Sequence, residues 1–101
     1  MMIVSLAAQF LPLVRSGAKR STIRKGRRPW AVGTAILSSK ADEQKIYITD
    51  VRFTNVASLT AIDAAKDGFE TLGELLAALQ GFYPELSFSD EITIASFRID
   101  R

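Results

Sequence analysis

A chain of 101 residues that is 48% hydrophobic and 24% charged has the length and composition of one globular domain, residues 1–101, with a modest core. It contains no Cys and no His, which excludes disulfides, thiolate metal sites and Ser-His or Cys-His nucleophile pairs, so neither a metal nor a cofactor is expected. The net charge of +2 hides an asymmetry, because residues 1–41 hold eight Lys/Arg and no acid, or +8, while residues 42–101 hold five Lys/Arg and eleven Asp/Glu, or −6.

The opening MMIVSLAAQFLPLV is apolar, has no basic residue ahead of it and is too short at fourteen residues to cross a bilayer. It reads as core, in a cytoplasmic protein with no membrane contact. Met2 to Leu6 is expected to be a short buried strand. Ala7 to Ser16 is expected to be a helix with Phe10, Leu13 and Val14 on one side and Gly17 as its stop. Pro12 falls in the first turn or so, where its missing N–H costs little.

Next comes RSGAKRSTIRKGRRPW, Arg15 to Trp30, with seven of the thirteen basic residues and no acid. Nothing nearby in sequence pairs with this charge, so it must be solvated or neutralised from elsewhere. Ser21 to Arg24 reads as extended, and if it alternates, Ile23 faces a core while Thr22 and Arg24 share the other side. Lys19 joins Thr22 only if Gly17 to Arg20 is a turn, which Gly17 permits. Lys25 to Pro29 has loop composition.

Trp30 to Ser39 is expected to be a strand with a turn or bulge at Gly33, and Lys45 to Val56 a strand long enough to bend around a barrel. Thr60 with Asp63 and Thr71 with Glu74 fit the capping-box pattern. The second of these opens a helix from about Leu72 to Phe82, with Leu72, Leu75, Leu76 and Leu79 at core spacing, before Pro84. Phe69, Phe82 and Tyr83 read as core anchors for the helices, and Asp42-Glu43 and Asp90-Glu91 as solvated charges. Glu91 to Ile99 supplies a last strand. The order β-α-β-β-β-α-α-β, with bent strands and helices at the ends, points to an α+β fold built on a small, partly open β-barrel.

The segment GAKRSTIR, Gly17 to Arg24, resembles the Gly-x-Lys-x-x-Thr-x-Arg signature of the ASCH domain family, named for activating-signal-cointegrator homology. Val32-Gly33, Asp67-Gly68-Phe69, Leu72-Gly-Glu74-Leu75 and Phe82-Tyr83-Pro84 follow in the family's order, so the similarity covers nearly the whole chain. Gly33-Thr34 departs from the Gly-Asp often found there. The resemblance implies a PUA-like barrel that binds RNA or a nucleotide, with Lys19, Arg20, Thr22, Arg24, Lys25, Arg27, Arg28 and Trp30 as contacts. It also implies an alternative, a small amidohydrolase acting on acylated pyrimidine nucleosides, with Lys19, Thr22 and either Asp67 or Glu70 in the site.

The residue chemistry fits both. Arg24 is a fixed fork suited to a phosphate or a base edge, and Lys25, Arg27 and Arg28 suit backbone phosphates. Trp30 offers either a stacking face or a plug for the barrel mouth. Like charge from Arg20 and Arg24 is expected to push the Lys19 pKa down, as a basic Lys requires. A third reading is a basic face that docks on an acidic protein.

Overall fold

Val4, Leu37, Ile46 and Ile48 alternate with exposed or half-exposed neighbours along extended segments, and that period of two is what a sheet with one buried face demands. The computed structural model describes residues 2–100. Among these, the strands are β1 (Met2–Ser5), β2 (Ser21–Lys25), β3 (Gly33–Ser38), β4 (Glu43–Asn55) and β5 (Glu91–Ile99), and the helices are α1 (Leu11–Ser16), α2 (Ala61–Lys66) and α3 (Leu72–Phe82). The strands form one sheet in the order β1-β3-β4-β5-β2, with β1 parallel to β3 and every other pair antiparallel.

The curl of the sheet comes from β4. Its thirteen residues pair with β3 and then β5, and the register slips between Ile48 and Asp50, leaving Thr49 as the extra residue of a bulge that bends the strand. The result is a half-barrel. Its inner face holds Val4, Ala35, Leu37, Ile46, Ile48, Ala95 and Phe97, closed by Leu6, Leu11 and Val14. A second cluster on the opposite face joins Ile23, Ile92 and Ile94 to Leu75 and Leu79 of α3 and Ala64 of α2. Because β5 serves both clusters, ITIASF reads as nearly unbroken apolar sequence.

Several boundaries differ from the sequence expectation. The first helix is a 3-10 turn at Ala8–Phe10 followed by α1, since Pro12 has no N–H with which to close an α-turn on Ala8. Leu11 rather than Phe10 is its buried partner to Val14. The third strand starts at Gly33, and Trp30 lies before it, half-buried against the barrel cluster. Gly17 ends α1 in the left-handed region at φ 86°, as its position predicts.

Both helix-start motifs act as caps, to different degrees. Thr60 accepts from the Asp63 N–H at 3.2 Å and the Asp63 carboxylate accepts from the Thr60 N–H at 2.9 Å, a complete box. At α3 only the first half forms, with Thr71 accepting from the Glu74 N–H. Thr60→Ala is therefore expected to cost about 1 kcal/mol, read as a lower urea midpoint with an unchanged m-value.

No helix among the described residues is long and apolar enough to cross a membrane.

Candidate functional site

The two free edges of the sheet, β1 and β2, do not pair with each other, and the gap between them is covered by α3. A cavity of about 420 Å³ occupies that gap. Ser5, Leu6 and Ala7 bound it from the end of β1, Phe10 from the 3-10 turn, Lys19, Ile23 and Arg24 from around β2, and Asp67 and Phe69 from the segment between α2 and α3. Leu75, Ala78, Leu79, Phe82 and Tyr83 complete the wall.

The polar part of this wall is assembled by short-range geometry. After Gly17 the chain turns, and the Lys19 N–H donates to Leu13 O at 3.0 Å while the Arg20 N–H donates to Lys66 O. That docks the start of β2 on the end of α2. Gly68, at φ 93°, lets the chain leave α2 close beside it: a Cβ there would sit 3.4 Å from the Lys19 Cβ and 3.6 Å from Ala18 O. Asp67 is thereby brought against Lys19. The Lys19 Nζ donates to Asp67 Oδ1 at 2.9 Å, and the Ser21 hydroxyl donates to the same oxygen at 3.1 Å. Both side chains of the ion pair are buried, with 4% and 7% exposure.

Burial dominates the electrostatics here. Desolvation lowers the Lys19 pKa, opposed by the Asp67 charge, and the positive charge of Arg24 adds a small push in the same downward direction. Desolvation likewise raises the Asp67 pKa, opposed by Lys19, Ser21 and Arg24. The downward shift of Lys19 thus agrees in direction with the sequence expectation but has a different main cause, burial rather than neighbouring like charge.

Arg24 crosses the gap between the sheet edges. Its guanidinium donates to Thr22 Oγ1, to Ile23 O at 2.9 Å and to the Ser5 carbonyl on β1, and it lies 5.9 Å from the Trp30 ring. One fork therefore ties β2 to β1, and Arg24 does so as a residue of the cavity wall.

The anticipated site residues separate into groups. Lys19, Arg24 and Asp67 meet at the cavity. Thr22 does not line it: it is 1% exposed and its hydroxyl oxygen accepts from Arg24. Both faces of β2 are buried at this point, so Thr22 turns toward the barrel interior, opposite Ala95, while Ile23 turns toward the helices. Glu70 is exposed and off the wall, which leaves Asp67 as the acid near Lys19.

The basic loop is less bare than its sequence implies. Lys25 lies 3.8 Å from Asp90 and Arg27 3.0 Å from Glu91, with the Arg27 guanidinium 3.9 Å from the Phe53 ring. Arg28 donates through Nε to Lys25 O and through its N–H to Thr93. Asp90 and Glu91 are thus partners of the loop rather than merely solvated charges.

Among the contributors not singled out from the sequence as site residues are Ser21, which shares Asp67 with Lys19, and the ring-bearing Phe10, Phe69, Phe82 and Tyr83. All of these rings line the cavity; Phe69 and Tyr83 also pack, half-buried, against the cluster beneath α3 as expected of core anchors, whereas Phe82 is 57% exposed and tilted against Phe10 at 6.4 Å between centroids. An apolar residue at the end of α3 looks the same in sequence whether it faces a packed core or an open gap.

No family model matches the chain, and no curated protein matches it. Solved structures do. An ASCH domain from Lactobacillus crispatus superposes with a TM-score of 0.81 at 16% identity, covering 97% of this chain and 79% of that one. A protein from Enterococcus faecalis gives 0.76 at 17% identity, covering 99% and 76%. An ASCH protein from Zymomonas mobilis gives 0.66 at 14% identity, covering 95% and 67%. The chain has the α+β, PUA-like fold of an ASCH domain.

Proposed function

We propose that this ASCH-fold domain binds one nucleoside unit, free or as an unpaired nucleotide of RNA, in the cavity between β1, β2 and α3. The observation that carries the reading is the make-up of the wall: aromatic and aliphatic side chains around one buried Lys19–Asp67 pair and the Arg24 fork. Apolar walls with a few convergent polar groups characterise small-molecule sites, and about 420 Å³ lies within their usual range of roughly 300–1,000 Å³. An extruded base would stack on rings such as Phe10 or Phe82 and offer its edge to Arg24. Titration calorimetry with the four ribonucleosides tests this. Binding of at least one, weakened in Phe82→Ala, is the expected result, and no heat from any of them would remove the reading.

In the RNA-bound form, Lys25, Arg27 and Arg28 adjoin Arg24 in sequence and are candidates for backbone phosphates. Their partners Asp90 and Glu91 are surface carboxylates that a phosphate can displace, because exposed pairs contribute only about 0–1 kcal/mol. Replacing all three by Ala is expected to flatten the salt dependence of single-stranded RNA binding by a slope of about 2, at roughly 0.7 per phosphate. Filter retention across a salt series measures it.

One observation favours a second reading, hydrolysis of an acylated nucleoside: Lys19 is a buried amine whose pKa is lowered, paired with an acid on the wall of a cavity. A neutral Lys19 amine would take a proton from water as the oxygen adds to the acyl carbonyl, and return it to the departing amine, releasing a carboxylic acid and the free nucleoside. Thr22, committed to Arg24 and off the wall, takes the role of holding that fork rather than of nucleophile.

A further inference from the structure

Lys19 also lines a second concavity, of about 360 Å³. Its wall includes Val14, Phe97 and Ile99 together with three arginines, Arg15, Arg20 and Arg98, and it includes no carboxylate. Arg15 is already engaged, with both terminal nitrogens on Asp42 at 2.8 and 3.0 Å and its Nε on Gln44. Arg20 and Arg98 are different. Both are exposed, and among the described residues neither guanidinium has an ion pair or a hydrogen bond.

Both residues nonetheless line the same concavity. The Arg20 N–H is fixed on Lys66 O, and the Arg20 carbonyl accepts from the Phe97 N–H at 2.9 Å, so Arg20 lies alongside the β5 residue that precedes Arg98. Arg98 in turn rests on Tyr47, its cross-strand partner, at 4.8 Å from the ring. Two arginines on the wall of one hollow that has no carboxylate leave its positive charge unneutralised, and an anion seated there would neutralise it. A phosphate suits the forks in charge and shape, since its oxygens accept two parallel N–H donors.

We infer that this second concavity is a phosphate subsite, in which Arg20 and Arg98 hold the phosphate attached to the nucleoside in the first cavity, with Lys19 between the two. This rests on the nucleoside reading above and narrows it: the ligand is a sugar phosphate, not a bare nucleoside. The phosphate can be the terminal group of a free nucleotide or the diester of a strand, which share this chemistry.

The test is calorimetry at low salt with the four ribonucleosides, their 5′- and 3′-monophosphates and the dinucleoside monophosphates, on the wild type and on Arg20→Gln/Arg98→Gln. The substituted residues are exposed, so the fold is expected to persist. Phosphate-bearing ligands should bind about tenfold or more tighter than nucleosides in the wild type, as charge-assisted hydrogen bonds allow. The double variant should lose that advantage while nucleoside affinity holds. A preference for monoesters assigns a free nucleotide, and equal or better diester binding assigns a strand. An advantage that is absent, or that survives in the double variant, overturns the subsite and leaves the nucleoside reading standing. If no nucleoside binds, the first cavity is the part that fails, and the subsite is then decided with inorganic phosphate: saturable shifts of the Arg20 and Arg98 Nε resonances support it, and unmoved resonances overturn it.

Discussion

Lys19→Met is expected to destabilise the domain by about 3–5 kcal/mol, because it leaves the Asp67 carboxylate buried without its counter-charge. That is a large share of the roughly 5–15 kcal/mol typical of a domain this size. Replacing both partners, as Lys19→Met/Asp67→Leu, is expected to recover most of the loss, since apolar residues of similar volume carry no desolvation cost. Urea denaturation of the three proteins measures both steps. A double variant as unstable as the single one would mean that the pair itself supports the fold. Recovery of stability with loss of nucleoside binding would mean that the ion pair is kept for the ligand.

The pH dependence has a defined sign. Asp67 has its pKa raised, so between the ordinary value of 3.8 and its folded value the native state binds more protons than the unfolded chain. Its contribution is therefore present at acid pH and lost as pH rises through the folded value. Lys19 has its pKa lowered, so its contribution is present above 10.5 and lost as pH falls through its folded value. In Lys19→Met the Asp67 carboxyl rises further, so the deficit of that variant is expected to shrink on acidification, the reverse of ordinary acid denaturation. A deficit independent of pH from 4 to 7 would count against Asp67 as its source.

Lys19→Arg separates binding from chemistry and is expected to give the most complete functional loss. Arg keeps the charge and can meet Asp67 as a fork, and the adjoining cavity gives the longer side chain room. Nucleoside binding should change by no more than a few fold. Arg cannot release its proton at accessible pH, so any hydrolysis of an acylated cytidine by the wild type should disappear. Product formation followed beside calorimetry on the same sample gives both numbers. Hydrolysis that persists in Lys19→Arg would take Lys19 out of the proton path while leaving the cavity as the binding site.

Local chemistry determined the elements of this protein. The boundaries of α3 and β5, the Gly17 stop and the Thr60 cap were all legible, because each depends on residues within a few positions of one another, and β4, expected over Lys45 to Val56, runs Glu43–Asn55. The half-barrel could be expected from element order and from the resemblance of GAKRSTIR and the later motifs. Only the tertiary structure decided which charges remain free. In sequence, Arg15 to Trp30 is an unrelieved run of cations, yet folding sets Arg15 on Asp42, Lys19 on Asp67, Lys25 near Asp90 and Arg27 on Glu91, every partner coming from the acidic remainder of the chain. These pairs join residues 27 to 65 positions apart in the chain, brought together by sheet pairing and helix docking that no local window contains. The same long-range packing left Arg20 and Arg98 without carboxylates and turned Thr22 inward beneath Arg24. It also opened the gap that Phe82 and Tyr83 line, since β1 and β2 end as edges of one sheet and do not close on each other.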